Sequence, residues 1–405
     1  DGDYNTAVGY RALSLQTGTS GEVGNSGFGY QAGYRMTTGT YNSLFGFDAG
    51  ENLNGGYRNT IVGARALENS DEGHSLVAIG FDAMRLSEAG NQSIAIGQAA
   101  LEYWSIGNNT STHTTAIGDT AGKYTTGSYN TFVGSEAGQG GTTGAPYSSG
   151  TSNTAVGYRA LKGFTTGGYN VAVGYQAGTA VSTGTMNVLL GYNTGASITT
   201  GTHNIIMGEQ AGDGFTTGVS NIAIGRFAMG AADGDESYNV FIGNYSGYVY
   251  NVSGNGYVTA LGSSAFQTLG TGNSVGGVAL GARALVSVGD YCGPHNIGIG
   301  YEAMGGTWAT AESSYNIAIG NQALAGAMNA ANYNIAFGYR ALYSVTTGDK
   351  NIGIGRMAGV NVTTADNGGI YIGEIAGYAN STGIQNTIIG YESYGQSTGT
   401  VNFRD

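Results

Sequence analysis

Residues 152–225 read SNTAVGYRALKGFTTGGYNVAVGYQAGTAVSTGTMNVLLGYNTGASITTGTHNIIMGEQAGDGFTTGVSNIAIG. One phrase recurs here, with its glycine at Gly157, Gly174, Gly191, Gly208 and Gly225, a step of 17 residues. Four residues before each stands an asparagine: Asn153, Asn170, Asn187, Asn204 and Asn221. Numbered from that asparagine, the phrase is N-[TVI]-A-[VI]-G-Y-x-A-[GL]-x-x-Φ-T-T-G-x-Y, positions 1 to 17, with Φ apolar. Self-similarity at a short fixed period predicts a solenoid.

Outward from this stretch, the anchor glycine runs from Gly9 to Gly390 in 22 copies. The step is mostly 17 up to Gly225 and 17–20 beyond it. Surplus residues gather near 104–112 and 139–152. The whole chain, 1–405, therefore reads as one repeat domain: all-β, a parallel β-solenoid or β-roll of about 22 coils. At about 4.8 Å per coil such a column would be roughly 100 Å long. Glycine at 76 of 405 residues, with many β-branched residues, opposes helix.

Each position has a physical reason. Position 4 is large and apolar throughout (Val8, Phe45, Val62, Val173, Met207, Ile299), and position 2 is mostly Val, Ile or Thr. Two apart is the strand period, so both point to one face. Position 8 is Ala in 19 of 22 copies, which predicts a tight inward site. Position 12 is often apolar (Met36, Leu53, Phe164, Val181, Ile198, Phe215), and position 7 is freely polar. The anchor glycine predicts a corner with positive φ, or a place too close to the next coil for a Cβ. Asparagine fills position 1 in 16 copies, and stacked amides can bond along the axis. Each coil is expected to hold two short strands and two turns.

Composition bounds the function. Charged residues are only 10% and net charge is −12, which argues against nucleic-acid binding. No run of 18 apolar residues predicts a membrane span. The single cysteine, Cys292, excludes an intrachain disulfide framework. His113, His203 and His295 stand just before position 1 in coils too far apart to meet within one chain, so no catalytic or metal set can be assembled there. Exposed turn histidines are the expected reading, and equivalent histidines meeting on a trimer axis the alternative. No cofactor is expected; Asp1-Gly2-Asp3, Asp71-Glu72 and Asp233–Glu236 are outside candidates for calcium.

Twenty-nine tyrosines, many at position 6 or 17, would stack as ladders between coils; a carbohydrate-binding surface is the rival reading. Tyr103 and Trp104 at the first surplus loop and Tyr147 in the second are the candidate receptor-binding residues, because loops on a rigid scaffold carry recognition.

The phrase in Asn221-Ile222-Ala223-Ile224-Gly225 and Asn316-Ile317-Ala318-Ile319-Gly320 resembles the head repeats of trimeric autotransporter adhesins. The longer form in residues 5–13 and 153–161, N-T-A-V-G-Y-x-A-L, is similar to repeats common in phage tail-fibre proteins. The resemblance implies three chains side by side, each a left-handed roll, with positions 2 and 4 toward a shared axis. It implies a non-enzymatic structural or adhesive fibre segment, on a virion tail or a cell surface, whose partners are copies of itself and a cell-surface glycan. The rivals are a self-assembling extracellular filament, suggested by ends that stop in mid-phrase, and a monomeric ice-binding solenoid using the Thr-Thr-Gly ladder. An enzyme is the least expected reading.

Overall fold

The computed structural model describes residues 2–17, 21–88, 90–105, 112–141, 147–214, 216–232, 234–251, 255–269, 275–308, 310–363, 367–380 and 385–393. They form two compact units, Asp1–His203 and Asn204–Asp405. The first carries eleven three-residue strands, from Thr6–Val8 to Val188–Leu190; the second carries eleven more, from Ile205–Met207 to Thr387–Ile389. Each strand covers positions 2 to 4 of its coil. Within a unit, neighbouring strands pair in parallel and in register, as Thr154, Ala155 and Val156 do with Val171, Ala172 and Val173.

The second strand expected in each coil is a correction. It survives only as pairs such as Val249–Tyr250 with Thr268–Leu269, and as isolated bridges such as Thr40 with Tyr57. Turns replace it, because positions 7 and 9 take left-handed φ: Arg159 at 58° and Leu161 at 48° in one coil. Backbone donors there alternate between the next coil (Leu161 N to Ala177 O, 3.0 Å) and the same coil (Lys162 N to Arg159 O, 3.2 Å). Few are left for water, which satisfies the backbone without a regular strand.

The core of each coil lies inside the chain itself. Position 3, the middle of the strand, points inward, as do positions 8, 9 and 12: Ala172, Ala177, Leu161 and Val181 are fully buried. Positions 3 and 9 trade volume in several coils. At Leu44 and Phe241 position 3 is large and position 9 is glycine, whereas Ile61 and Leu67 are both large in one coil. A Cβ on Gly50 or Gly247 would stand 2.5 Å from Leu44 or Phe241. Beside Ala172 position 9 is Gly178, where a Cβ would stand 2.6 Å from Leu189 of the next coil. At Ala78, Ala95 and Ala155 it is Met84, Leu101 or Leu161, all buried. The left-handed backbone costs such a side chain about 1 kcal/mol, which burial worth about 2 kcal/mol offsets.

Both reasons expected for the anchor glycine hold. Gly208 has φ of 131°, and a Cβ on it would lie 2.5 Å from the Gly225 carbonyl oxygen. The asparagine column is buried and bonded along the stack. Asn170 donates its backbone N–H and its Nδ2 to Asn153 Oδ1 (3.0 and 3.1 Å). Its Nδ2 also donates to the Gly184 carbonyl at 2.9 Å. Its Oδ1 accepts two bonds from Asn187, both 3.0 Å. In the first unit the column pauses at Leu76, Ser93 and Thr114; in the second, Asn221 and Asn239 continue it from Asn204.

Candidate functional site

With position 3 turned inward, positions 2 and 4 turn outward. In the coil of Asn170, Ala172 is fully buried. Tyr169, Val171, Val173 and Tyr175 are 60%, 36%, 39% and 44% exposed. Positions 2 and 4 thus form one outward, charge-free strip; the columns beside it, 17 and 6, are aromatic in some coils and polar or charged in others, as at Arg58, Asp119, Arg226 and Glu374. Position 4 is apolar in all 22 copies, and no copy puts a charge at position 2 or 4. A water-facing column with no function would admit polar residues.

The tyrosine ladders edge this strip. Tyr10, Tyr30 and Phe47 stack with centroids 5.3 and 5.1 Å apart. Tyr175 lies between Tyr158 (5.3 Å) and Tyr192 (5.2 Å). In the second unit Tyr315 stacks between His295 (5.3 Å) and Tyr333 (5.1 Å). A ring with neighbours on both faces offers water only its edge and hydroxyl. Such ladders pack coil on coil; a sugar that needs an open ring face finds it covered.

Trp104 is no surface residue. It is fully buried at position 12 of its coil, where Phe164 and Val181 stand in theirs. A receptor cannot reach it in the folded chain, and that candidate is withdrawn. Tyr103 and Tyr147 are half-buried, with centroids 5.4 Å apart, and Tyr124 stands 5.3 Å from Tyr103. Burial, and then the carboxylate of Glu102, push the Tyr103 phenol above its ordinary range. Residues 106–111 and 142–146 of the surplus loops lie outside the described residues.

The charges that pair between coils stand at positions 6, 7 and 10, as Arg226 with Glu209 does at position 6. Arg65 meets Asp82 at 2.8 Å, Arg85 meets Glu68 at 3.1 Å and Lys123 meets Glu102 at 3.0 Å. Glu136 takes both Arg159 (3.1 Å) and Lys162; the Lys162 bond first, then that of Arg159, hold its carboxyl below the usual range.

Asp48, Glu51 and Glu68 bring three carboxylates within 4.8 Å, the one such acidic group among the described residues. Burial, then the neighbouring carboxylate, raises Asp48 (by Glu68) and Glu51 (by Asp48). Sequence reading missed this trio because its members share only columns 7 and 10 of two coils. Of the calcium candidates, Asp3, Asp71, Glu72 and Asp235 are exposed. Glu236 is buried, and its carboxylate accepts the Gly234 N–H at 3.2 Å. Asp1 and Asp233 lie outside the described residues.

Neither the protein-family models nor the curated proteins contain a match to this chain.

The remaining features are local. His113 and His203 hold the left-handed corner at position 17, each at φ 59°. In the Thr-Thr-Gly turns the first hydroxyl is used between coils, as Thr165 Oγ1 donates to the Ser182 carbonyl at 3.1 Å; the second, Thr166, is exposed. No helix among the described residues is long and apolar enough to cross a membrane.

Proposed function

We propose that this chain is a non-enzymatic structural segment of an attachment fibre, a phage tail fibre or surface adhesin, whose copies associate through the outward apolar strip. The observation that carries this reading is position 4: outward in the coil, apolar in all 22 copies. Each chain already fills its own core, so the strip is not needed for a coil to close. It is a second apolar surface, held flat by the strand ladder. Across the strand, positions 2 to 4, it is about 10 Å wide, and eleven coils make it about 50 Å long. That is about 500 Å² on each unit, or about 1,000 Å² summed over the two, against the roughly 800 Å² per partner that a stable interface buries. The reading favours a trimer, in which every copy presents the same strip to a common axis. Multivalent display on such a bundle gives avidity to weak receptor contacts.

Light scattering on unheated protein tests it. We expect a mass three times the 41.1 kDa chain. Replacing Val171 and Val173 together by Lys should return the chain to a monomer with an unchanged circular-dichroism spectrum. A wild-type monomer would refute the association.

A further inference from the structure

A groove of about 690 Å³ crosses four coils of the first unit. Arg35, Asn52 and Asn69 line it from position 11, and Thr37, Asn54 and Asp71 line it from position 13. Between the two columns runs the inward position 12, with Met36 and Leu53 in the core. The backbone under the groove is fixed by the coil ladder: Arg35 N donates to Glu51 O (2.8 Å), Asn52 N to Glu68 O and Asn54 N to Asp71 O (both 3.0 Å). The side chains therefore stand on a rigid frame and repeat at the coil step.

Their polar atoms are only partly used. Asn52 Nδ2 donates to Asn69 Oδ1 at 3.1 Å, and Thr37 Oγ1 donates to Asn54 Oδ1. That leaves Asn52 Oδ1 and the Asp71 carboxylate as acceptors, and Asn54 Nδ2, Asn69 Nδ2 and the Arg35 guanidinium as donors. None of these has a hydrogen bond or ion pair to the described residues. Donors and acceptors thus alternate along a channel whose period is about 4.8 Å.

We propose that this groove binds a stretch of polysaccharide running along the coils, with its hydroxyls on the two columns. A vicinal pair of hydroxyls donates and accepts at once, which matches amide, guanidinium and carboxylate groups in alternation. A sugar ring is about as long as one coil step, so successive rings meet successive coils. Nucleic acid fits poorly: Asp71 lies in the channel and the chain carries a net charge of −12. A peptide fits poorly too, because Leu15 is the one apolar side chain among the described residues of the lining. The inference rests on the attachment reading, and it moves the receptor contact from the surplus loops to the regular coils.

Saturation-transfer NMR on the full chain, with cellotetraose, chitotetraose and tetragalacturonate as probes, tests it. Transfer to at least one probe is expected. Arg35→Ala with Asn69→Ala, both at exposed side chains, should weaken binding about tenfold, the loss of two hydrogen bonds. Asn54→Asp, which removes a donor at constant size, should weaken it as well, and Tyr103→Ala should leave it unchanged. No transfer to any probe, or equal transfer in wild type and both groove variants, would overturn the proposal. Light scattering on the same samples keeps the two readings apart. A trimer that binds no sugar removes the groove and leaves the fibre; a monomer that binds sugar removes the fibre and leaves the groove.

Discussion

Gly208 faces the carbonyl oxygen of Gly225 so closely that a Cβ on the first would stand 2.5 Å from the second. The backbone at Gly208 also sits at φ 131°, where an L side chain is strained. Gly208→Ala therefore meets two penalties, clash and strain, and relief of either would separate two paired coils. We expect a loss of about 3 kcal/mol or more, read as a shift in the urea midpoint. Thr217→Ala, at an exposed turn of the same coil, should shift it by less than about 0.5 kcal/mol.

The amide column makes a different prediction. Asn170→Leu keeps the volume but removes the bonds that Asn187 N and Nδ2 donate to its Oδ1 and the bond that the Gly184 carbonyl accepts from its Nδ2. Buried polar groups left unpaired cost about 1–3 kcal/mol each. Denaturant unfolding should show a loss of several kcal/mol. The effect should exceed that of Asn52→Leu, whose amide lies nearer the surface.

Burial of Trp104 reverses what a loop position would imply. Trp104→Ala should destabilise by about 3–5 kcal/mol and lower the melting temperature. Tyr103→Ala, one residue away but half-buried, should cost far less. Equal melting temperatures for the two variants would contradict the burial.

Cys292 is fully buried, and burial pushes its thiol from 9.0 up to about 12. In the folded chain it should resist a thiol reagent at pH 8 and react only after denaturation. The sign for stability follows. Above pH 9 the unfolded thiol ionises while the folded one does not, so stability falls from about pH 9 to about pH 12. Cys292→Ala should remove that part of the alkaline decline.

Much of this fold was legible in the sequence because solenoid positions are constrained one column at a time. The glycine, asparagine, alanine and position-12 columns each announce their environment by what they exclude. Position 3 escaped notice because alanine looks neutral beside Val and Ile. Only the coil geometry shows that the small residue is the inward one. The exchange between Leu and Gly at position 9 was visible as variation, but its cause is the volume beside it, in the same coil at Leu44 and Phe241 and in the next coil at Leu189. Trp104 was misplaced by its nearness to surplus residues; counting seven on from Gly97 puts it in column 12. The groove and the acidic trio were not legible, since each is assembled from residues of separate coils that share no local motif.

The pause of the amide column at Leu76, Ser93 and Thr114 has a mechanical meaning. Tension along the stacking direction loads coil junctions in series, so the weakest yields first. At this pause single hydroxyl bonds, Thr114 N to Ser93 Oγ at 2.9 Å and Asn130 N to Thr114 Oγ1 at 3.5 Å, stand where the neighbouring coils have amides. Within the buried column a pulled first unit should open there first, leaving the ion pairs Arg65–Asp82, Arg85–Glu68 and Lys123–Glu102 as the side-chain ties across the same coils, while the amide blocks at Asn25–Asn59 and Asn130–Asn187 stay zipped as templates for reclosure. The pause would then act as a mechanical fuse that limits the damage of a sudden load to a few coils.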